Sequence, residues 1–256
     1  MQRIVILLAV LVTCPAAFAT TLMGPPAAML NGERFGLSAE YSQTDADIAF
    51  EHAGDAIAGD FDFYGGYDVF SAAATRWWEF FLRLGAARAD ASDFGGDTNL
   101  SWGLGTRLTA FEWGDFTWGA MVQFTNIISR FETMEQFLDE GDSVVLLETE
   151  EELGVVEYDF ATGPAWRHGR FSLYGGLLLR YVTGYVDFDA GVARDKFDID
   201  TRWDVGGYVG GTFSVFMADP SRASCLGRCD LMAEGRFTGD SSGFSVALLL
   251  PFGGEP

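Results

Sequence analysis

The residues of this sequence that could do chemistry are two histidines, three cysteines and a large excess of carboxylates. His52 lies near Asp47 and Asp55, and a histidine beside a carboxylate can act as a general base. A solvated histidine in an acidic segment is the alternative interpretation. Nucleotide-binding, phosphate-binding and zinc motifs are absent from the sequence. The sequence therefore predicts neither an enzyme nor a bound cofactor or metal.

The cysteines and the N-terminal stretch predict export to an oxidising compartment. Cys14 lies in an apolar stretch that follows Met1-Gln2-Arg3 and ends at Ala17-Phe18-Ala19, which is typical of a signal peptide cleaved between Ala19 and Thr20. Cys225 and Cys229 remain after cleavage, and an even pair in an exported chain predicts a disulfide. A metal site is the alternative, although no histidine or second cysteine pair near them would complete it.

Further charged residues alternate with apolar ones along predicted strands. In one such strand Trp102, Leu104 and Leu108 share a face, while Arg107 lies on the other. Buried charges must be paired or solvated, so the charged faces predict either an ion-pair network or a hydrated channel. The predicted inner lining consists of Glu40, Glu79, Arg83, Arg107, Glu157, Asp159, Arg180, Arg202, Asp204, Glu234 and Arg236.

Ten stretches with a period of two residues are predicted to be β-strands. The apolar residues of the second stretch do not all lie on one face, so eight strands remain possible. The stretches are 33–43, 60–72, 76–89, 98–112, 115–131, 153–166, 170–186, 196–217, 229–238 and 243–252. Tight turns alternate with longer polar segments, which are 44–59, 90–97, 132–152 and 187–195. This alternation predicts a closed antiparallel up-and-down β-barrel.

Alternation alone is the same for a membrane barrel and for a soluble secreted barrel with its faces reversed. Bulky aromatic residues lie on the apolar faces, whereas glycines such as Gly103 and Gly105 lie opposite. A narrow lumen requires small residues, and a soluble core would require the large ones. Most of the predicted strands are also longer than the roughly 9–11 residues that cross a bilayer. We therefore predict that the apolar face meets lipid.

The sequence resembles the small bacterial outer-membrane β-barrel proteins, the group that includes the OmpA-type barrels, over residues 33–252. The resemblance rests on Leu82-Arg83-Leu84-Gly85-Ala86-Ala87, on Gly103-Leu104-Gly105 and on a last strand that ends at Phe252. It implies an all-β transmembrane barrel in the bacterial outer membrane. It also implies contact with lipid and lipopolysaccharide, and assembly by the barrel-assembly machinery. The predicted layout is a signal peptide at 1–19, a short segment at 20–32, the barrel at 33–252 and a tail at 253–256.

The net charge of −21 is concentrated in the longer segments. Segment 132–152 contains nine carboxylates and no lysine or arginine. We assign this acidic rim to the cell exterior, where divalent cations could join it to lipopolysaccharide phosphates. The same acidity argues against nucleic-acid binding. Apolar residues at helical spacing in 130–140 predict a short amphipathic helix or, alternatively, packing inside that loop.

These observations predict a non-enzymatic barrel with a structural or surface-interaction role and a largely closed, charge-paired lumen. A narrow, porin-like passive diffusion pore is the alternative. A third hypothesis is a rim enzyme that would use His52 with Asp47 or Asp55, in the manner of the outer-membrane proteases of the omptin group. The sequence does not predict an oligomeric state.

Overall fold

The computed structural model describes residues 24–30, 33–52, 55–91, 94–138, 144–189, 194–216 and 228–253. These residues form ten long strands and one two-residue strand. The strands are β1 Phe35–His52, β2 Asp55–Thr75, β3 Trp78–Ala91, β4 Phe94–Gly95, β5 Asn99–Trp113, β6 Phe116–Leu138, β7 Val144–His168, β8 Phe171–Asp189, β9 Arg194–Phe216, β10 Arg228–Phe237 and β11 Ser241–Phe252. Ten predicted strands are thus confirmed.

The sheet closes on itself. Each long strand pairs antiparallel with its neighbours in the sequence, and β1 pairs with β11 from Phe35↔Phe252 to Ala46↔Ser241. Closure leaves no long strand with an unpaired edge, which is the condition for placing a sheet in lipid. The predicted closed up-and-down barrel is confirmed.

Two hairpins close with glycine at a left-handed position. Gly114 and Gly169 each have a φ of 60° in the two-residue connections between β5 and β6 and between β7 and β8. Glycine adopts this conformation without the steric cost of a Cβ atom. These connections confirm two predicted tight turns, and they define what we call the turn end of the barrel. The opposite end is called the outer end.

The strands continue far into the segments predicted to be long loops. β1 and β2 remain paired to His52↔Asp55, and β6 and β7 remain paired to Leu138↔Val144. The prediction of long loops at 44–59 and 132–152 was therefore wrong, as was the helix at 130–140, whose residues up to Leu138 belong to β6. Cross-strand backbone hydrogen bonds override local helical spacing because the facing strand offers a partner at every second residue.

Large apolar side chains cover the outside of the barrel. One continuous row crosses eight strands in register, with every member exposed or half-buried: Leu37, Phe70, Leu82, Leu104, Phe124, Tyr158, Tyr181 and Trp203. The intervening residues of the same strands point inward, and they include the fully buried Arg83 and Glu157. The apolar face is outside and the charged face is inside, which is the inverse of a soluble barrel. Among the described residues, no helix is long and apolar enough to cross a membrane.

The barrel wall is uneven in height at the outer end. β10 and β11 have 10 and 12 residues, whereas the neighbouring β9 and β1 have 23 and 18. Above the short hairpin, β1 pairs directly with β9 at Phe50↔Ile199. This arrangement leaves a notch in the wall above the connection between β10 and β11.

Candidate functional site

The N-terminal segment 24–30 lies inside the turn end of the lumen, and we call it the plug. Its backbone amides donate hydrogen bonds to barrel side chains: Gly24 N to Glu234 Oε2 at 2.8 Å and Met29 N to Glu79 Oε2 at 2.8 Å. The plug fits closely, because a Cβ atom on Gly119 would lie 2.6 Å from the backbone of Ala27. Two buried carboxylates therefore hold an uncharged piece of chain across the mouth.

No role for segment 20–32 is predicted from the sequence. The signal was present in Gly24-Pro25-Pro26-Ala27-Ala28-Met29-Leu30, an uncharged run directly before the first strand. Prolines lack an amide hydrogen, so this run leaves fewer donors to satisfy when it is buried. An apolar run that does not alternate needs apolar partners, and Met29 finds them inside the turn end in a buried cluster with Met232, Ala247 and Leu249. Leu30 is 1% exposed there.

Above the plug, the first ion pair of the lumen joins Arg107 to Glu79. Arg107 Nη1 lies 3.0 Å from Glu79 Oε1, and the other oxygen of Glu79 accepts the Met29 amide. The ring of Phe81 lies between two guanidinium groups, with its centroid 4.4 Å from Arg107 Cζ and 4.8 Å from Arg83 Cζ. Such cation–π contacts are stronger where water is excluded. They hold the two arginines in fixed positions.

A second group of ion pairs spans the middle of the lumen. Arg83 Nε lies 3.0 Å from Glu40 Oε2, and Arg83 also donates a hydrogen bond to Gln123 Oε1. Gln123 Nε2 in turn donates to Asp159 Oδ2 at 2.7 Å. This chain of contacts joins β1, β3, β6 and β7 through the interior. Each member satisfies the next, which is the condition for burying charge without a large penalty.

The opposite wall supplies two more arginines to the same carboxylates. Arg180 Nε lies 2.9 Å from Glu157 Oε1, and Arg236 Nη1 lies 3.4 Å from that atom and 3.8 Å from Asp159 Oδ2. The guanidinium groups also donate to hydroxyls, Arg180 to Ser241 at 2.7 Å and Arg236 to Thr44 at 3.1 Å. The network therefore closes around the lumen.

The structure brings together nine of the eleven residues predicted to line the lumen. Buried inside the barrel are Glu40, Glu79, Arg83, Arg107, Glu157, Asp159, Arg180, Glu234 and Arg236. Asp204 is half-buried and pairs in register with Arg180. The side chain of Arg202 lies outside the described residues.

Apolar side chains fill the lumen beyond the network. At the outer end Phe63, Ile127 and Leu153 belong to a buried cluster with Ala46, Ala87, Ala89, Val155 and Ile199, which we call the outer apolar layer. At the level of the lower ion pair, Tyr67, Met121, Leu178 and Tyr208 form another buried cluster. Along the axis, plug, ion pairs and apolar layers follow one another.

Neither a protein-family model nor a curated protein sequence matches the chain. Its shape does match solved structures. The outer-membrane protease OmpT of Escherichia coli has a TM-score of 0.53 at 8% identity, over 91% of this chain and 99% of that one. The chain has the fold of an outer-membrane β-barrel. At such identity the likeness concerns the fold alone.

Two further barrels match less closely. The translocator domain of the autotransporter NalP of Neisseria meningitidis has a TM-score of 0.49 at 11% identity, over 85% of this chain and 88% of that one. The attachment protein Ail of Yersinia pestis has a TM-score of 0.34 at 14% identity, over 86% of this chain and 97% of that one.

The notch at the outer end of this barrel is acidic. It surrounds a cavity of about 610 Å³, and we call Asp45, Asp47, Asp60, Asp62 and Asp240 at its margin the acidic notch. Asp45 faces Asp62 and Asp47 faces Asp60 across β1 and β2. The hydrogen bond from its facing carboxyl raises the pKa of Asp62, and the equivalent bond to Asp60 raises the pKa of Asp47. Among the described residues, no cluster is arranged to hold a metal ion.

The paired aspartates make the outer end of the β1–β2 hairpin sensitive to pH. Because the folded-state pKa of Asp62 lies above its usual value of 3.8, this pair stabilises the fold at low pH and loses that contribution as the pH rises through the raised pKa. We expect Asp62→Asn to be more stable than wild type at pH 7, by less than about 1 kcal/mol because the pair is solvent-screened. Urea unfolding at pH 7 and at pH 4 measures the difference in the free energy of unfolding between Asp62→Asn and wild type at each pH.

Asp97→Asn, which changes an exposed aspartate outside the acidic notch, is the control for the loss of one charge. The advantage of Asp62→Asn should shrink toward pH 4, where the wild-type pair takes up a proton. An Asp62→Asn protein no more stable than wild type at pH 7 would contradict the carboxyl pair.

The predicted disulfide is not present. Cys229 is a free, buried thiol within the ladder that joins β10 to β9, on the same strand face as Leu231. A disulfide needs two Cα atoms less than about 7 Å apart with converging Cβ atoms, whereas the Cys229 thiol is enclosed in the ladder with Val215 as its cross-strand neighbour. Cys225 lies outside the described residues, as do Ala19, Thr20 and the side chain of His52. His168 lies at the turn end and stacks on Trp166, with ring centroids 5.5 Å apart.

Proposed function

We propose that the protein is an integral outer-membrane β-barrel with a structural or surface-interaction role and a closed lumen. The apolar outer wall supports insertion in a bilayer, since it would otherwise expose a continuous belt of leucine and aromatic side chains to water. Trp78, Trp118, Trp166 and Phe171 lie on this wall toward the turn end, which suits one interfacial girdle. In this orientation the turn end faces the periplasm and the acidic notch faces the cell exterior.

The single observation that carries the closed lumen is that its axis is blocked at successive levels, although a cavity of about 330 Å³ lies beside the plug at the turn end. The plug, the ion pairs and the outer apolar layer occupy successive levels, and the guanidinium groups of the middle level are 5% exposed or less. Ten strands enclose an interior only slightly wider than the eight-stranded barrels that side chains fill completely. A diffusion pore would need these charged groups to be hydrated.

We expect no steady single-channel steps when the mature protein is reconstituted in planar lipid bilayers. Deleting residues 24–30 should leave the bilayer equally silent, because the ion pairs and the outer apolar layer still block the axis. Gel mobility with and without heating confirms in parallel that both proteins are folded. Steady steps from the wild type would favour the narrow diffusion pore, and steps that appear only after the deletion would show that the plug alone seals the barrel.

The surface role rests on the acidic notch and on the outer wall. Lipopolysaccharide is the partner we propose for the outer end, because divalent cations can join exposed aspartates to its phosphates. The last strand ends on the aromatic Phe252, which suits delivery by the barrel-assembly machinery. The proposal includes no catalysis, since the buried arginines and carboxylates that could act on a substrate are bonded to one another.

A further inference from the structure

Asp68 is a carboxylate on the outside of the barrel wall. It is exposed and lies between Phe70 and Gly66 on the outward face of β2. Its cross-strand neighbours are Ala39 on β1 and Leu84 on β3, and Leu84 is itself 52% exposed. An acidic side chain therefore interrupts the apolar belt.

The position of Asp68 corresponds to the middle of the belt. Tyr64 faces outward and pairs with the charged Arg88. It lies four residues nearer the outer end than Asp68, which is about 10 Å of height for a strand tilted by about 40°. Leu84, opposite Asp68, lies six residues above Trp78 on β3, or about 15 Å. The apolar band of such barrels is about 25 Å tall. Asp68 therefore lies far from both headgroup regions.

Other polar side chains on the outer wall are satisfied within the wall. The Thr106 hydroxyl donates to Glu79 O at 2.9 Å and accepts from Trp78 Nε1, and the Thr162 hydroxyl donates to Gly119 O at 2.9 Å. Asp68 has no hydrogen bond or ion pair within the described part of the chain. A carboxyl group that faces hydrocarbon without a partner is costly, and such residues usually mark a contact or a pathway.

The surroundings of Asp68 allow another surface to approach closely. Gly66 and its β3 neighbour Ala86 lie directly above it, Ala39 lies beside it, and the half-buried Tyr41 borders Gly66 on β1. The larger Leu37, Phe70 and Leu84 surround this small-residue patch and are all exposed. Small residues at a membrane interface permit close backbone approach, and a polar group within them adds a hydrogen bond.

We propose that this face of β1, β2 and β3 binds a second copy of the chain, with the two Asp68 carboxyls paired across a two-fold axis. A two-fold interface places the same residue opposite itself, so the group at its centre must complement itself. A carboxylic acid does so, since its O–H donates to the partner's oxygen and its own oxygen accepts. The same strands already pair carboxyls at Asp45–Asp62 and Asp47–Asp60. This inference rests on the proposed membrane insertion.

Analytical ultracentrifugation of the refolded mature protein in micelles tests the pairing directly. We expect a wild-type dimer, and we expect Asp68→Leu to raise the dissociation constant by about tenfold or more, because the central hydrogen bonds are lost. Asp68→Asn should retain the dimer, because a carboxamide also donates and accepts. Asn126→Leu removes another outward polar side chain three strands away and should also leave the dimer unchanged.

Cysteine cross-linking tests the same face in the native membrane. In a background with Cys225→Ala and Cys229→Ala, Gly66→Cys places a thiol beside the proposed axis, where a Cβ atom has room. We expect oxidation to give a covalent dimer. Leu177→Cys, at a lipid-exposed position of β8 on another part of the wall, should remain monomeric.

A folded wild type that is monomeric at every concentration would overturn the proposal, and so would a dimer that Asp68→Leu leaves unchanged. Equal cross-linking at residues 66 and 177 would also overturn it. If Asp68 bound a cationic protein partner instead, the purified chain would be a monomer. Failure to insert into lipid vesicles, read by protease protection, would instead refute the membrane assignment itself.

Discussion

Replacing Arg83 with methionine is expected to lower the free energy of unfolding by about 3 to 5 kcal/mol, because it leaves a buried carboxylate without its counter-charge. Arg83 is 0% exposed and bonds Glu40 and Gln123. Methionine matches the length of the arginine stem but supplies neither charge nor donor. Glu40 would then remain ionised in a dry lumen or would have to take up a proton to fold.

The measurement is urea unfolding of the refolded protein in lipid vesicles, followed by tryptophan fluorescence. Arg130→Met is the matched control, since Arg130 Nε lies 3.0 Å from Glu152 Oε2 but its side chain is 64% exposed. An exposed ion pair contributes about 0–1 kcal/mol, so this control should change little. Adding Glu40→Gln to Arg83→Met should recover part of the loss. Equal effects of the two arginine substitutions would show that the lumen is hydrated.

Replacing Leu104 with arginine is expected to destabilise the barrel in bilayers by about 2 to 4 kcal/mol, because the side chain faces the middle of the hydrocarbon. Leu104 lies on the outer face of β5 in the row that includes Leu82 and Phe124. It is 51% exposed, so in water the same substitution would remove no packing of consequence. The expected effect therefore depends entirely on lipid as the solvent.

Leu100→Arg is the control on the same strand and the same face, four residues nearer the outer end. Leu100 is 71% exposed and lies at the margin of the apolar belt, where an arginine can reach the headgroups. Its cost should be about 0–1 kcal/mol. The two values come from parallel unfolding curves in vesicles. A soluble barrel would tolerate both substitutions equally, and that outcome would contradict the membrane assignment.

Much of the barrel is readable from the sequence because a closed sheet repeats one local rule. Alternation such as Trp102, Leu104 against Gly103, Gly105 specifies a face at each residue, and Gly114 and Gly169 mark turns that few other residues can make. The lumen residues follow from the same alternation, since a charged residue opposite a leucine on such a strand must point inward. Burial of Arg83, Arg107 and Glu157 was therefore predictable without knowing their partners.

The partners were not readable, since they join residues distant in the chain. Glu157 forms ion pairs with Arg180 on the adjacent strand β8 and with Arg236 on β10, which is 79 positions later in the chain. The plug escaped prediction for the same reason. Its backbone amides donate hydrogen bonds to Glu79 and Glu234, and nothing in the local sequence of residues 24–30 indicates either partner.

Strand length also exceeded what the local sequence could show. Acidic composition in 44–59 and 132–152 is typical of loops, yet these segments largely extend the hairpins, because pairing propagates once two strands are in register. Residues 130–138 have helical spacing of apolar residues, yet they form part of β6 because they pair with β7. Cys229 lies in the strand ladder as a free, buried thiol, and no local feature of the sequence predicted that.

The sequence by itself determined the class of fold and the inversion of faces, and it favoured ten long strands over eight, because each of these depends on residues adjacent along a strand. The tertiary structure decided the plug, the pairing of the lumen charges, the acidic notch and the isolation of Asp68. Each of these depends on the register and closure of the barrel, which set the distances between residues far apart in the chain. Alternation fixes which way a side chain points, whereas only closure decides what it meets.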